Sequence, residues 1–243
     1  MNWREKLAAL EQFYQRSFQT PRFIEKVVTS GSYAKKVRAL ARLGTRTATE
    51  VDLLCSQVEH LRRAFKVMDD LIDEDTVRDG SPAFWFTRSG AAAIEQAAWD
   101  IAQARQIAAR LEILLLFEQR LREVIEGARL EVELENPGYA LLEPTITWWR
   151  VVQKESAFRL FIAAALGCPP QVCEAARLDG IAAQMLDDGL SALHGKDGRV
   201  ENSDEKLDRL TYMRAYGVSA EEAIRRGREL KTKIAPILGR KEV

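Results

Sequence analysis

The sequence predicts an all-α protein that folds as one domain. Over most of the 243 residues, apolar side chains recur at intervals of three and four, the spacing that places them on one face of a helix. No stretch shows convincing alternation with a period of two, so strands are not predicted. A chain of this length buries a large core, and no repeat or linker divides it. We therefore expect a single domain over residues 1–243, in which long helices pack as one large bundle.

The N-terminal half is divided into helices by proline, by glycine and by a capping sequence. Pro21 ends the first helix, and Gly31 separates a short second helix from a basic third one. Thr47 and Glu50 form a capping box at the start of the longest helix. A loop is expected over 81–90, which contains a proline and three aromatic residues. The predicted helices cover residues 7–14, 23–28, 33–43, 47–73, 91–109 and 111–134.

The C-terminal half is predicted in the same way. The sequence Asn-Pro-Gly at 136–138 is a strong break, and the Gly-Cys-Pro-Pro sequence at 167–170 ends the following helix. A polar loop is expected over 195–203. The predicted helices cover residues 145–166, 172–194 and 204–216, and a last one begins at Ser219 and ends before Pro236 or at Gly239.

Composition narrows the range of functions. The formal net charge is zero, which points to neither nucleic acid nor a membrane surface as the main partner. No apolar run approaches the about 18 residues of a transmembrane segment, and the N-terminus lacks the layout of a signal peptide. Cys55, Cys168 and Cys173 lack metal-ligand spacing and indicate reduced thiols in a cytoplasmic protein. With only His60 and His194 in the chain, a zinc site or a Ser-His triad is not expected.

Two acidic clusters lie late in long apolar helices. Spacings of three and four place Asp69, Asp70 and Asp73 on nearly one helix face. Such a cluster of like charges is explained either by solvation at a helix end or by a hard divalent cation, which bridges carboxylates to substrate phosphates. Asp187 and Asp188 lie in a matching context, which favours the cation. If the two helices face each other across a cavity, a small metal cluster there would bind a diphosphate, with nearby Lys and Arg balancing its charge.

These motifs resemble those of the trans-isoprenyl diphosphate synthases, the polyprenyl synthetase family. Residues 69–73, Asp-Asp-Leu-Ile-Asp, are similar to the family's first aspartate-rich motif, and residues 180–191 match the second one in register. The resemblance runs from about Lys35 to Ile234. Its other members are Lys35-Lys36-Val37-Arg38, Glu59, Arg78-Asp79-Gly80-Ser81-Pro82, Gly127-Ala128-Arg129-Leu130-Glu131, Lys154, and Asp204 with Arg209, Thr211 and Tyr212.

The resemblance implies the isoprenoid synthase fold with a central active-site cavity and ionisation of an allylic diphosphate by a small cluster of Mg²⁺ ions. It also implies a homodimer and isopentenyl diphosphate as the second substrate. The implied metal ligands are Asp69, Asp70, Asp73, Asp187 and Asp188, although Asp188 is equally explained by a structural role.

The resemblance assigns the remaining site residues as well. Arg78 and Lys154 would contact the diphosphate that departs, or would be exposed, solvated charges. Gln184 would orient a carboxylate or stabilise a cation, or would be a buried, hydrogen-bonded residue. Phe65, one turn before the first motif, would form the cavity floor and limit product length, or would be a core aromatic. The second diphosphate would be bound by Lys35, Lys36 and Arg38, which alternatively form an ordinary basic helix face. Arg199 would replace a lysine of the family's loop, with Lys196 as the alternative.

Departures from the family pattern leave the reaction open. They comprise Ala39, Lys66, Asp79, Ala128, Glu131, Glu155 and Ser191. Chain elongation to a short isoprenyl diphosphate is the preferred interpretation. The alternatives are a terpene cyclase, prenyl transfer to a different acceptor, or a non-catalytic partner subunit of a prenyl synthase. A carboxylate-bridged di-metal bundle would need Glu-x-x-His pairs, and the sequence has none.

Overall fold

The structure, a computed structural model, describes residues 1–18, 31–139, 143–194 and 207–239. Most of these residues are helical, and two very short strands form a hairpin. The elements are α1 (Trp3–Arg16), α2 (Ser32–Ala41), α3 (Ala48–Asp73), β1 (Val77–Arg78), β2 (Ser81–Pro82), α4 (Phe84–Thr87), α5 (Gly90–Arg110), α6 (Leu114–Glu133), α7 (Pro144–Val151), α8 (Gln153–Ala165), α9 (Pro170–His194), α10 (Tyr212–Tyr216) and α11 (Ala220–Ile234).

Two predicted capping residues mark helix starts in the structure. The predicted capping box before α3 is present, because the Thr47 side chain accepts from the Glu50 N–H and the Glu50 carboxylate accepts from the Thr47 N–H. The Ser219 side chain caps α11 in the predicted way. The predicted helix over 23–28 and the predicted loop over 195–203 lie outside the described residues.

Several predicted boundaries were wrong. The helix expected over 145–166 is two helices, α7 and α8, that meet at Val152. The loop expected over 81–90 contains β2 and α4, and β2 pairs with β1 in antiparallel register. In the described part of 204–216, the helix begins only at Tyr212, because Asp208 has a positive φ and Thr211 caps the helix from outside it.

The long helix α3 lies inside the bundle. It packs against α5 on one side and α2 on another, while α9 packs against α8 and α11. Helix α1 lies across α5 and α6. The main hydrophobic core runs through α1, α2, α3, α5, α6 and α8. None of the helices in the described ranges is long and apolar enough to span a membrane.

Two close approaches fix helices near the interior cavity. At Gly127 in α6, a Cβ atom would lie 2.8 Å from the backbone nitrogen of Lys154 and 2.9 Å from the backbone oxygen of Val151. Only glycine therefore allows α6 to cross the start of α8 so closely. At Gly31, a Cβ atom would lie 2.2 Å from Glu59 Oε1. That oxygen accepts from the Tyr33 N–H at 2.8 Å and from the next N–H of α2. Glu59 therefore caps α2, and Gly127 sets the position of α8 against α6.

Candidate active site

One cavity of about 320 Å³ lies inside the helical bundle and collects most of the predicted site residues. Helices α1, α2, α3, α6, α7, α8 and α9 line it, together with Arg78 and the segment 209–211. Of the predicted residues, it brings together Phe65, Asp69, Asp73, Arg78, Lys154, Gln184, Asp187 and Asp188. The two acidic clusters therefore face the same space, although 113 residues or more separate them in the chain.

Arg78 joins the first two carboxylates of the first acidic motif. Its Nε donates to Asp70 Oδ1 at 2.5 Å, and its Nη2 donates to Asp69 Oδ2 at 2.7 Å. Asp70 is 4% exposed and does not line the described cavity, whereas the Asp69 side chain is 43% exposed. The β1–β2 hairpin positions the arginine, because Arg78 is the last residue of β1. Asp69 is thus the accessible ligand candidate, and the buried Asp70 fixes the position of Arg78 through their hydrogen bond.

The third carboxylate of the motif belongs to a buried charge network. Arg209 Nη2 donates to Asp73 Oδ1 at 2.6 Å, and Arg209 Nη1 lies 3.3 Å from Glu131 Oε2. Lys154 Nζ donates to the same Glu131 oxygen at 2.5 Å. Arg209 is only 4% exposed, so these ion pairs are weakly screened by solvent. The network places two cations, Arg209 and Lys154, beside the carboxylates that face the cavity.

Burial and neighbouring charges shift the pKa values of this network. Burial and the Asp69 carboxylate raise the pKa of Asp73 to about 7. Burial alone would raise the pKa of Glu131, but Lys154 and Arg209 hold it below its usual value. Burial alone would lower the pKa of Lys154, but Glu131 and Asp69 raise it above its usual value. The lysine therefore stays charged, whereas the Asp73 carboxyl group is harder to ionise than an exposed one.

The second acidic motif divides into an exposed and an anchored carboxylate. Asp188 is 3% exposed, and both of its oxygens accept hydrogen bonds, from Gln184 Nε2 and from the Tyr212 N–H, each at 2.6 Å. Asp188 therefore anchors the start of α10 against α9. Asp187 is partly exposed and lines the cavity. The hydrogen bond from Gln184 fits both a residue that orients a carboxylate and a structural, hydrogen-bonded one, so its catalytic role stays a prediction.

The residues predicted to bind a second diphosphate lie elsewhere. Lys35, Lys36 and Arg38 are exposed, and none of them is among the described residues that line the cavity. Arg38 pairs with Asp52 at 2.7 Å, and Lys36 Nζ lies 4.2 Å from the centre of the Tyr33 ring, which does line the cavity. The predicted contact at Arg199 lies outside the described residues.

Two departures from the family pattern compensate each other. Lys66 Nζ donates to Asp79 Oδ2 at 2.8 Å. The positive φ of Asp79, 51°, belongs to the turn between β1 and β2. Lys66 of α3 thus neutralises Asp79 of the hairpin, and both residues depart from the family pattern. The hydrogen bond from Lys66 also lowers the pKa of Asp79.

An aromatic pair closes one part of the cavity. The rings of Phe65 and Phe158 meet edge to face, with centroids 5.6 Å apart. Behind this pair lies a small space of about 10 Å³, which Leu61 and Phe117 also line. Phe65 therefore lies between the cavity and this small space, and its role in limiting product length stays a prediction.

The donor set fits a hard cation. Carboxylate oxygens are the ligands that Mg²⁺ prefers, and Asp69, Asp73 and Asp187 line one cavity. In the described ranges, no three His, Cys, Asp or Glu side chains are arranged as a ready metal cluster. The arginines Arg78 and Arg209 contact the carboxylates instead. At Asp69, a bound cation would replace the contact with Arg78.

Sequence reasoning missed several residues of the site. Trp148 is fully buried and lines the cavity. Glu131 and Arg209 were noted only as parts of motifs, and their pairing depends on the fold. Lys6 and Glu135 were not singled out. Lys6 carried a signal, because it lies on the apolar stripe of α1, and Glu135 follows Glu131 at a helical spacing of four.

Known isoprenoid synthases share this architecture. A geranyltranstransferase from Thermotoga maritima aligns over 96% of this chain and 89% of its own, with a TM-score of 0.69 and 15% identity. An isoprenoid synthase family member from Thermotoga neapolitana aligns over 97% of this chain and 92% of its own, with a TM-score of 0.70 and 16% identity. A polyprenyl synthase from Caulobacter crescentus, complexed with calcium and isoprenyl diphosphate, aligns over 96% and 82%, with a TM-score of 0.62 and 19% identity.

These similarities establish the fold. No protein-family model and no curated protein matches the chain. The structural alignments nevertheless cover nearly all of it, and the described chain is helical apart from the small hairpin. The protein therefore has the all-α isoprenoid synthase fold, as the resemblance of its motifs predicted.

Proposed function

We propose that this protein catalyses Mg²⁺-dependent ionisation of an allylic diphosphate and joins the allylic group to isopentenyl diphosphate, giving a short-chain isoprenyl diphosphate. The observation that supports this most is that one cavity brings the site residues together. Asp69, Asp73 and Asp187 line it together with Lys154, and Phe65 lies one helical turn before Asp69. Ionisation needs this combination, because the departing diphosphate must be neutralised while the allylic cation stays dry.

The side chains divide this work between them. Lys154 stays protonated beside the cavity and would stabilise the negative charge that develops on the departing diphosphate. Arg78 would act in the same way once its contact with Asp69 is released. Trp148 and Phe158 are apolar walls that exclude water from the allylic cation.

The carboxylates that face the cavity would hold the metal ions. Asp69, Asp73 and Asp187 are the proposed ligands, and Mg²⁺ supplies positive charge to the diphosphate oxygens when it is bound. Asp70 supports Arg78, and Asp188 supports the start of α10. A metal-binding role for these two residues stays a prediction.

Product analysis tests the proposal. The protein is incubated with Mg²⁺ and dimethylallyl, geranyl or farnesyl diphosphate, with and without isopentenyl diphosphate. We expect a longer isoprenyl diphosphate only when isopentenyl diphosphate is present, and no turnover when a chelator removes the metal. Diphosphate release without isopentenyl diphosphate, with a hydrocarbon or alcohol as product, would contradict elongation.

A second candidate function is supported by an ion pair in the predicted second diphosphate site. There Arg38 pairs with Asp52 at 2.7 Å. Cations that already have carboxylate partners attract a second diphosphate weakly, which favours a cyclase or transfer to an acceptor without a diphosphate. In the same assay, no turnover of any substrate would support the predicted non-catalytic partner subunit. The homodimer stays a prediction from the resemblance.

Truncation of Phe65 should change product length. In Phe65→Ala, the cavity gains the volume of the ring and joins the small space lined by Leu61 and Phe117. We expect products longer by at least one isoprene unit, measured by chromatography of the dephosphorylated alcohols.

Leu54→Ala is the matched control, because Leu54 is fully buried in the same helix and does not line the described cavity. It should lower the free energy of unfolding by about 2–5 kcal/mol without changing product length. An unchanged product spectrum in Phe65→Ala would show that Phe65 is a core aromatic only.

A further inference from the structure

A lysine of the N-terminal helix is buried next to the candidate active site. Lys6 is 1% exposed, and its Nζ donates to Glu135 Oε2 at 2.8 Å. It lies on the buried stripe of α1 with Leu10 and Phe13, and these two side chains line the cavity. Burying an ammonium group is costly unless it is paired. The position of Lys6 is therefore tied to Glu135.

Glu135 connects Lys6 to the candidate metal site. Its Oε1 atom lies 3.0 Å from Arg209 Nη2, and the same nitrogen donates to Asp73 Oδ1 at 2.6 Å. Arg209 is thus shared between a carboxylate that faces the cavity and a carboxylate held by α1. Lys6 itself does not line the described cavity, so any effect of this residue passes through Glu135.

Equal numbers of acidic and basic side chains meet in this network. Three carboxylates, Asp73, Glu131 and Glu135, interact with three cations, Lys6, Lys154 and Arg209. Lys6 and Arg209 both attract the Glu135 carboxylate. Without the charge of Lys6, Arg209 is the cation left to pair with Glu135 among these side chains. The guanidinium would then move toward Glu135 and away from Asp73, and the buried setting makes this force strong.

We propose that Lys6 is a positioning residue of the active site, which holds Glu135 and thereby fixes Arg209 against Asp73. Helix α1 then contributes to the active site in two ways, because Leu10 and Phe13 line the cavity and Lys6 holds Glu135. This inference rests on the proposed function, because Asp73 is taken as a ligand of the Mg²⁺–diphosphate complex.

Lys6→Met tests the inference by removing the charge at nearly constant length. Two readouts are measured on the full chain, calorimetric binding of inorganic diphosphate with Mg²⁺ and turnover of the allylic substrate. We expect about tenfold weaker binding of diphosphate and about tenfold lower kcat/KM. Both would fall because a displaced Arg209 disturbs Asp73, a proposed ligand of the Mg²⁺–diphosphate complex. Lys6→Arg should restore both values to within about threefold. The control Lys233→Met changes an exposed lysine of α11 and should match the wild type.

Glu135→Gln and the double variant Lys6→Met/Glu135→Gln distinguish positioning from stability. Because both residues act on Arg209 along one path, the double variant should bind diphosphate no more weakly than the poorer single variant. The double variant leaves no unpaired charge at this pair, so it also covers the case in which Lys6→Met does not fold. Wild-type binding and turnover in folded Lys6→Met, whatever its melting temperature, would overturn the inference. Additive losses in the double variant would do the same.

The two readouts separate this inference from the proposed reaction. If the wild-type protein binds Mg²⁺ and diphosphate but converts no allylic substrate, the proposed reaction fails, and the binding data still decide the role of Lys6. If the wild-type protein binds no diphosphate with Mg²⁺, both are overturned.

Discussion

Asp69→Ala is expected to lower Mg²⁺-dependent turnover about 10³-fold or more while leaving the helical fold intact. Asp69 lines the cavity, and its Oδ2 accepts from Arg78 Nη2 at 2.7 Å. Its side chain is 43% exposed, so the loss of this ion pair should cost less than about 1 kcal/mol of stability. Initial rates over a Mg²⁺ titration measure the first effect, and circular dichroism during thermal unfolding measures the second.

Glu133→Ala is the matched control for this variant. Glu133 is also a partly exposed carboxylate at the end of a helix, and it pairs with Arg129 at 2.9 Å, but it is not among the described residues that line the cavity. It should keep wild-type turnover and a similar melting temperature. If Asp69→Ala keeps more than a tenth of the wild-type rate, the assignment of the first acidic motif to metal binding is wrong.

The parts of the site that depend on local spacing were predictable from the sequence. Asp69 and Asp73 are four residues apart, and the helical periodicity around them is strong, so both were placed on one face of α3. The second acidic motif was placed on α9 in the same way. Helical periodicity alone does not state which helices face each other. The expectation that both clusters line one cavity therefore depended on the resemblance, with which the structure agrees.

The parts that depend on tertiary contacts were not predictable. Lys66 and Asp79 were both recognised as unusual, but their pairing requires the β1–β2 hairpin, whose strands of two residues are too short to show a period. The division between α7 and α8 at Val152 has neither glycine nor proline to mark it. It lies where α8 crosses Gly127 of α6 at close range, so packing against another helix accompanies the break.

Lys154→Met is expected to lower kcat about 10²- to 10³-fold and to destabilise the protein by about 2–4 kcal/mol. The lysine donates to Glu131 at 2.5 Å, and both side chains are about four-fifths buried. Its removal leaves the Glu131 carboxylate with Arg209, at 3.3 Å, as its remaining described cation. The kinetic loss has a separate cause, because the cavity loses a cation beside the departing diphosphate. Urea unfolding and steady-state kinetics measure the two effects.

The double variant Lys154→Met/Glu131→Gln separates the structural role of Lys154 from its catalytic role. Neutralising Glu131 removes the unpaired buried charge, so most of the lost stability should return. Turnover should stay low, because no cation has been restored to the cavity. Recovery of turnover together with stability would show instead that Lys154 only neutralises Glu131, and the positive charge on the departing diphosphate would then have to come from Arg78 and Arg209.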